Sequence, residues 1–302
     1  MKAVVIVPTL NAGSLWRDWI NAVSATGIEA GDIYVIDSGS SDDTVFLARE
    51  AGFNVKSIDV RLFNHGSTRQ SAVAGLSGVD IAIFLTQDAI LSRPDSLRNI
   101  LSPFNDKGVA AVCGRQLPRP EAGAIETHAR LFNYSEISSL NTIADADKKG
   151  LKAAFLSNSF AAYRVKALLD VGGFPADVIF GEDMYVAAKM LMVGYGVAYA
   201  ADACVYHSHS YSFWQEMQRY FDMGVFHARE PWIRQSLGGA EGEGLKFVFS
   251  EYKYLLKHAF WLVPEGMLRT LFRYAGFRLG LVERMLPLWS KRLLAMNKGY
   301  FK

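Results

Sequence analysis

Cysteine is scarce in this chain of 302 residues, which contains only Cys113 and Cys204. Two thiols are too few for a disulfide framework or a zinc site, and free cysteines in apolar stretches behave as small buried side chains. We therefore expect a reducing compartment. Hydrophobic residues make up 50% of the chain and charged residues 21%, so a core can form without disulfides.

Long hydrophobic runs are also missing. The first apolar run ends at Val7, before Pro8, and is shorter than the apolar region of a secretory signal. No uninterrupted apolar segment is long enough to cross a bilayer. These absences predict a cytoplasmic protein with no transmembrane helix.

Two glycine signatures of nucleotide-binding proteins are absent as well. The first strand is not followed by Gly-x-Gly-x-x-Gly, and there is no Walker Gly-Lys-Ser/Thr. Their absence argues against a dinucleotide-binding dehydrogenase and a P-loop enzyme. No nucleic-acid-binding motif is found either, so we expect no nucleic-acid partner.

Apolar runs alternate with helical patterns through the first third of the chain. The predicted strands are 3–7, 32–37, 53–58, 81–86 and 109–114, and helical patterns begin near residues 15, 42 and 67. Further along, a helix is predicted at 181–192, strand-like runs at 197–200 and 204–206, and another helix from about 212. This alternation predicts an α/β fold with a mostly parallel sheet flanked by helices.

Polar residues follow the predicted strands, where parallel sheets bind ligands. Thr9 and Asn11 follow the first strand, Asp37 ends the second, and Gln87-Asp88 follows the fourth. Asp37 is consistent either with holding a turn or with accepting hydrogen bonds from a nucleoside. Asp88 is consistent with the start of a loop or with a ligand of a divalent cation.

Two further groups of polar residues lie in the second half of the chain. Glu182 and Asp183 open a predicted helix, where acids are stabilised by the helix dipole, or where one carboxylate can accept a proton from a hydroxyl. His207 and His209 are either surface histidines or ligands that complete a cation site at the fourth strand. Arg219, in an aromatic and charged segment, can meet a phosphate.

The last part of the chain is basic. From Lys246 onward there are eleven Lys or Arg and three acids, a charge of +8, while the remainder carries −6. Apolar residues recur at helical spacing from Leu245, with a break predicted at Pro264 and Gly266. Such helices either pack on the body of the protein or lie on an anionic membrane, and the one-sided charge favours the membrane.

Several segments, taken in order, resemble family 2 glycosyltransferases with the GT-A fold. Within that family they resemble bacterial rhamnosyltransferases that build O-antigen and related cell-surface polysaccharides. The segments that carry the resemblance are VIVPTLNAG, VIDSGSSDDT, FNHGSTRQSAVAG, IFLTQDA, LSNSFAAYR, FGEDMYVAAKM and VYHSHSYSFWQEMQRYFDMG. They span residues 4–224 and imply a catalytic domain at 1–244, divided into a nucleotide-sugar half (1–116) and an acceptor half (117–244). Residues 245–302 form the basic helical tail.

The resemblance also implies roles for single residues. Nucleotide-sugar binding falls to Pro8, Thr9, Asn11, Asp37, Gly39, Arg69, Gln70 and Gln87. Asp88 and His207 would hold Mg²⁺ or Mn²⁺ on the diphosphate, although Thr86-Gln87-Asp88 has one acid where the family motif Asp-x-Asp has two. Asp183 would be the general base, with Glu182 beside it.

The activity implied is transfer of a sugar with inversion, namely L-rhamnose from dTDP-L-rhamnose to a glycan or lipid-linked acceptor at the inner face of the cell membrane. Three alternatives remain open from the sequence. The donor can be a UDP-sugar. The chain can also be a nucleotidyltransferase, which can have a similar sheet and use a bound metal ion in a similar way but does not need a pair of acids on the acceptor side. It can also be a catalytically silent, membrane-associated scaffold.

Overall fold

A computed structural model describes residues 1–239 and 242–301. Residues 240 and 241, inside the predicted catalytic domain, and Lys302, counted in the basic tail, lie outside the described residues. The strands are β1 (Ala3–Thr9), β2 (Ile33–Asp37), β3 (Asn54–Ser57), β4 (Ile81–Leu85), β5 (Ile90–Leu91), β6 (Val109–Leu117), β7 (Ser139–Asn141), β8 (Phe160–Arg164) and β9 (Gly196–Tyr206). The helices are α1 (Leu15–Ser24), α2 (Thr44–Glu50), α3 (His65–Ala74), α4 (Ser96–Leu101), α5 (Ala124–Asn133), α6 (Ala146–Lys149), α7 (Val165–Asp170), α8 (Glu182–Met192), α9 (Phe213–Arg229), α10 (Pro231–Leu237), α11 (Glu243–His258), α12 (Val263–Leu281) and α13 (Leu288–Leu294).

The strands form one sheet in the order β3-β2-β1-β4-β8-β6-β9-β5, and β7 pairs with β9. From β3 to β4 the sheet is parallel, as the alternating pattern predicts. The sheet becomes mixed beyond β4, because β8 runs antiparallel to both β4 and β6. The predicted short strands at 197–200 and 204–206 are parts of the single strand β9, which has an irregular register against β6 between Gly114 and Arg115.

The core lies on both faces of the sheet, and it fixes the ends of the strands. Trp16 and Trp19 of α1 are fully buried and stacked, with ring centroids 4.8 Å apart. The indole N–H of Trp16 donates to the carbonyl of Thr44 at 3.0 Å, and that of Trp19 to the carbonyl of Thr86 at 3.1 Å. The second bond holds the chain just after β4, where the candidate cation ligand follows.

The basic tail packs on the catalytic body through α12, which crosses α9 at close range. A Cβ atom added at Gly276 would lie 2.2 Å from the carbonyl oxygen of Met217, and one at Gly280 would lie 2.2 Å from that of Phe221. Only glycine allows two helix backbones to approach this closely. The packed arrangement considered for the tail is therefore present.

Buried ion pairs accompany this packing. Arg273 of α12 contacts Glu216 of α9 at 2.8 Å and Glu251 of α11 at 3.2 Å. Glu283, fully buried, pairs with Arg229 at 2.9 Å and Lys291 at 3.0 Å. Several basic residues of the tail thus neutralise acids of the fold instead of facing solvent.

The predicted break between two tail helices is present, but it lies at residues 259–262 and not at Pro264 and Gly266. The chain leaves α11 at Ala259, and Pro264 lies in the first turn of α12, where a missing N–H costs nothing. Gly266 is buried in α12 against Leu255. Among the described residues, no helix is both long and apolar enough to cross a membrane.

We expect Gly276→Ala to lower the free energy of unfolding by about 1–3 kcal/mol, because its methyl group would overlap the α9 backbone. Denaturant unfolding followed by circular dichroism measures the change. Gly244→Ala is the control, since that position is exposed in α11 with nothing within 4 Å of an added Cβ, and alanine there should be neutral or stabilising. Equal stability of Gly276→Ala and the wild type would contradict the close crossing.

Candidate active site

The turn after β2 is built around Asp37, which is 2% exposed. One carboxylate oxygen accepts the backbone N–H groups of Gly39 and Ser40, both at 3.0 Å, and the other accepts the hydroxyls of Thr9, at 3.1 Å, and Ser40. Gly39 has φ +95°, a conformation that favours glycine. Asp37 thus holds the turn, one of the two interpretations the sequence left open.

The loop after β1 is fastened to the same turn. Asn11 has φ 46°, which asparagine tolerates, and its side-chain oxygen accepts the N–H of Ser41 at 2.8 Å. The side-chain amide of Gln87 bonds both backbone groups of Leu10, accepting at 2.8 Å and donating at 3.1 Å. Gln87 therefore joins the ends of β1 and β4 instead of supplying the second acid of the family motif.

Asp88, His207 and His209 form a cluster whose ligand atoms all lie within 4.8 Å of one another. The Nε2 atoms of His207 and His209 are 3.4 and 3.7 Å from Oδ2 of Asp88. The hydroxyl of Thr86 donates to the other carboxylate oxygen at 2.7 Å. The topology explains the convergence, because the chain after β4 and the chain after β9 meet at one edge of the sheet.

The hydrogen bonding around His207 fits a bound cation. Gln116 donates its amide N–H to Ser157 at 3.0 Å, so its carbonyl oxygen faces His207 Nδ1 at 2.8 Å and accepts that N–H. In the neutral ring, the Nε2 lone pair then points toward the Asp88 carboxylate. A lone pair that faces a carboxylate is stabilised by a positive charge between them. Hydrogen bonds like the one from His207 Nδ1 to Gln116 commonly orient histidines that bind metals.

The charge states of the cluster agree with this fit. Burial lowers the pKa of His209 to about 3, with a contribution from His207, and burial also lowers the pKa of His207. Neutral imidazole is the form that binds metals. Although burial alone would raise the pKa of Asp88, the proximity of His207 and the hydroxyl that Thr86 donates hold that pKa well below its usual value. Two neutral imidazoles and one carboxylate form a mixed nitrogen and oxygen ligand set of the kind that binds divalent transition metals.

Glu182 lies at the start of α8 in a buried network. Its Oε1 forms an ion pair with Arg69 Nη1 at 3.1 Å and accepts a hydrogen bond from the amide of Asn158 at 3.0 Å. Tyr163 fixes that amide by donating its hydroxyl to Asn158 Oδ1 at 2.6 Å. Burial would raise the pKa of Glu182, but the charges of Arg69 and His65 outweigh it and the pKa is lowered. Glu182 is therefore a charged structural anchor between α3 and α8.

Asp183 is the neighbouring carboxylate, and its environment is different. Among the described residues it accepts only backbone N–H groups, from Asn158 at 3.1 Å and Met184 at 2.8 Å. Burial and the negative charge of Glu182 raise the pKa of Asp183 to about 7. A carboxylate of that pKa is suited to take a proton near neutral pH.

Asp183 opens onto a cavity of about 720 Å³. The cavity is lined on one side by His65, Arg69, Glu182 and His209 from the catalytic body. Its other side includes tail residues: Leu262, Glu265, Arg269, Arg273, Met296 and Asn297. The cavity is large enough for a substrate, and the tail forms part of its wall.

The predicted residues thus fall into three places. Pro8, Thr9, Asn11, Asp37, Gly39 and Gln87 lie at the joined ends of β1, β2 and β4; Asp88 and His207 lie in the cluster; and Arg69, Glu182 and Asp183 line the cavity. Gln70 accepts the backbone N–H of Phe174 at 2.9 Å and is not among the residues that line the cavity. Sequence reasoning missed Gln116, His65 and the contacts of Asn158, because their partners are distant in the chain.

Comparison with known proteins agrees with this architecture. Residues 2–221 match the model of the glycosyltransferase-like family 2. The chain is 48% identical to the O-antigen chain rhamnosyltransferase RfbN of Salmonella typhimurium, covering 100% of this chain and 96% of that protein. It is 46% identical to the O-antigen chain rhamnosyltransferase WbaN of Salmonella anatum, covering 98% and 95%.

Two solved structures share the fold. The mannosyltransferase PcManGT of Pyrobaculum calidifontis, in complex with GDP-Man and Mn²⁺, matches with a TM-score of 0.63 at 17% identity, over 94% of this chain and 88% of that one. TarS of S. aureus, in complex with UDP-GlcNAc, matches with a TM-score of 0.54 at 14% identity, over 94% and 92%. The GT-A fold expected from the sequence is confirmed.

We expect Mn²⁺ affinity, measured by isothermal titration calorimetry, to fall at least about tenfold in His209→Ala and Asp88→Asn. Gln116→Ala should weaken binding about 10- to 100-fold, because His207 would lose its orientation. His258→Ala, which removes an exposed histidine of α11, is the control and should bind as the wild type does. Unchanged affinity in Asp88→Asn would show that Mn²⁺ binds elsewhere.

Proposed function

The chain belongs to the glycosyltransferase-like family 2, and we propose that it transfers L-rhamnose from dTDP-L-rhamnose to a glycan acceptor in O-antigen synthesis, with inversion at the anomeric carbon. Two relatives that match nearly the whole chain are named O-antigen chain rhamnosyltransferases. The observation that carries the mechanism is Asp183, a carboxylate of raised pKa that lines a substrate-sized cavity.

The donor nucleoside binds at the joined strand ends. Because both Asp37 oxygens already accept hydrogen bonds, we assign recognition to the residues around Asp37, namely Pro8, Thr9, Asn11 and Gly39. Gln87 keeps the β1 loop against β4. Arg69, on the donor-side helix α3, stabilises the charge on Glu182, and that charge in turn raises the pKa of Asp183.

A divalent cation, Mg²⁺ or Mn²⁺, would be held by Asp88, His207 and His209. When bound, it would supply Lewis-acid stabilisation of the departing diphosphate. The histidine pair provides ligands that the single acid of Thr86-Gln87-Asp88 does not. Gln116 keeps His207 in the tautomer that leaves Nε2 free.

Asp183 accepts the proton of the acceptor hydroxyl as that oxygen attacks the anomeric carbon and the bond to the diphosphate breaks. The backbone N–H groups of Asn158 and Met184 hold the carboxylate in place. Water is the competing acceptor, so the bound acceptor has to displace it from the cavity beside Asp183. Positioning of donor and acceptor in this cavity supplies a further share of the rate.

We expect Asp183→Asn to reduce rhamnose transfer about 10²- to 10⁴-fold, because the amide cannot accept the proton. Binding of dTDP-L-rhamnose should remain near that of the wild type. In the wild type, transfer should rise with pH and level off above about 7, as Asp183 becomes ionised. Radiolabel transfer assays and calorimetric donor titration measure these quantities.

Glu182→Gln provides a second arm, because loss of the neighbouring negative charge lowers the pKa of Asp183. The acidic limb of its pH profile should move to lower pH, even where the maximal rate falls. Asp170→Asn, an exposed acid at the end of α7, is the control for loss of a carboxylate. Wild-type turnover by Asp183→Asn would reject Asp183 as the base.

We further propose that the outer face of the tail binds the inner face of the cell membrane, where a lipid-linked acceptor would lie. In α11, Phe249, Lys253 and Leu256 are exposed at helical spacing, and in α12 Leu271 and Arg278 repeat this mixture. Apolar groups interleaved with cations match an anionic lipid surface. The opposite faces of these helices are buried against the body.

We expect Phe260→Glu to weaken binding to anionic liposomes at least about tenfold, because Phe260 is 68% exposed between α11 and α12 and would enter the lipid interface. Phe46→Glu is a matched control, since Phe46 is 64% exposed on α2. Liposome co-sedimentation measures the partition. Equal losses in both variants, or no wild-type binding, would contradict a docking role for the tail.

A further inference from the structure

Two arginines in the cavity have no acidic partner. Within residues 1–239 and 242–301, Arg130 of α5 and Arg219 of α9 form neither an ion pair nor a side-chain hydrogen bond, although both line the cavity. The other arginines of its lining are paired: Arg69 with Glu182, Arg269 with Glu216 and Glu265, and Arg273 with Glu216 and Glu251.

Aromatic rings hold both guanidinium groups. The Cζ atom of Arg219 is 5.2 Å from the centre of the Phe180 ring and 5.7 Å from that of Tyr211. Arg130 is 5.9 Å from the ring of Tyr134. In contacts of this kind the aromatic ring stabilises the positive charge of the guanidinium group, but it does not accept hydrogen bonds from the N–H groups at the edge of that group.

The local charges do not neutralise the pair. Burial lowers the pKa of the Arg130 guanidinium, and the charge of Arg219 adds to that effect. Asp88 acts on Arg130 and Asp222 on Arg219, but neither acid is close enough for an ion pair. Two half-buried cations that repel each other and have no acidic partner among the described residues provide a site where an anion would be stabilised.

The position of the pair indicates which anion. The ring of Tyr211 stacks on that of His209 with centroids 5.1 Å apart, and His209 lies 4.5 Å from the ring of His207. A single aromatic ring therefore separates Arg219 from the candidate cation cluster. An anion at the arginines would lie beside the site assigned to the diphosphate.

We propose that Arg130 and Arg219 form a diphosphate-binding site on the cavity side of the cation cluster. Each planar guanidinium offers several N–H donors that match phosphate oxygens. The diphosphate can come from the nucleotide donor or from an acceptor whose glycan is linked to lipid through a diphosphate. This inference rests on the proposed function for the identity of those two substrates only.

The first test needs no turnover. Calorimetry with inorganic pyrophosphate, without divalent cation, should show at least about tenfold weaker binding to Arg130→Gln and Arg219→Gln than to the wild type. Arg130→Lys and Arg219→Lys, which keep the charge, should bind with intermediate affinity. Arg49→Gln, which removes an exposed arginine of α2, should bind as the wild type does.

Thermal unfolding separates ligand binding from a structural role. The melting temperature of the glutamine variants should stay equal to that of the wild type or rise, since a half-buried charge without an acidic partner is removed. Unchanged pyrophosphate affinity in the variants that fold, whether glutamine or lysine, would overturn the proposal. The proposal would also be overturned if the wild type bound pyrophosphate no more strongly than a double glutamine variant does.

Two arms then identify the source of the diphosphate. If it is the donor, the affinity for dTDP falls at least about tenfold in the glutamine variants. If it is the acceptor, dTDP affinity is retained, and KM rises for a glycan on a short isoprenyl diphosphate but not for the same glycan on a neutral aglycone. The protein could fail to use dTDP-L-rhamnose while its glutamine variants still bind pyrophosphate more weakly than the wild type. That result would reject the proposed function and retain the anion site.

Discussion

Two neighbouring carboxylates begin α8, and like charges in a buried site cannot both ionise freely. Arg69 and the amide of Asn158 stabilise the charge on Glu182. That charge, together with burial, raises the pKa of Asp183 to about 7. The acid pair is thus divided into a charged anchor and a carboxylate suited to the proposed role of base, and the same contacts join α3 to α8. The proposed chemistry depends on this division.

The tail contributes both to the cavity beside Asp183 and to the exposed surface of the protein. The glycines of α12 bring that helix against α9, and buried pairs such as Arg273 with Glu216 fix it there. Residues of the tail then complete the cavity wall, while other residues of the same helices remain exposed. Packing on the body and the proposed contact with lipid are therefore compatible, because the exposed residues lie on the faces of α11 and α12 that point away from the body.

The sequence was informative where chemistry follows regular structure. Asp88 and His207 follow predictable strands and Asp183 lies in the first turn of a predictable helix, so these places in the fold could be foreseen; their assigned roles stay predictions. Gln116 could not be found, because its partner His207 lies 91 residues away. The antiparallel strand β8 lacks a distinctive pattern in FAAYR, and helical spacing alone does not separate buried Leu255 from exposed Leu256.

The most direct measurement is the structure of the product. Purified protein, Mn²⁺, dTDP-L-rhamnose and a glycan acceptor are combined, and the anomeric configuration of the new linkage is read by NMR from its one-bond carbon–proton coupling. Direct displacement assisted by Asp183 predicts a rhamnoside whose configuration is opposite to that of the donor. Retention of configuration, or transfer from a UDP-sugar with none from dTDP-L-rhamnose, would contradict this account.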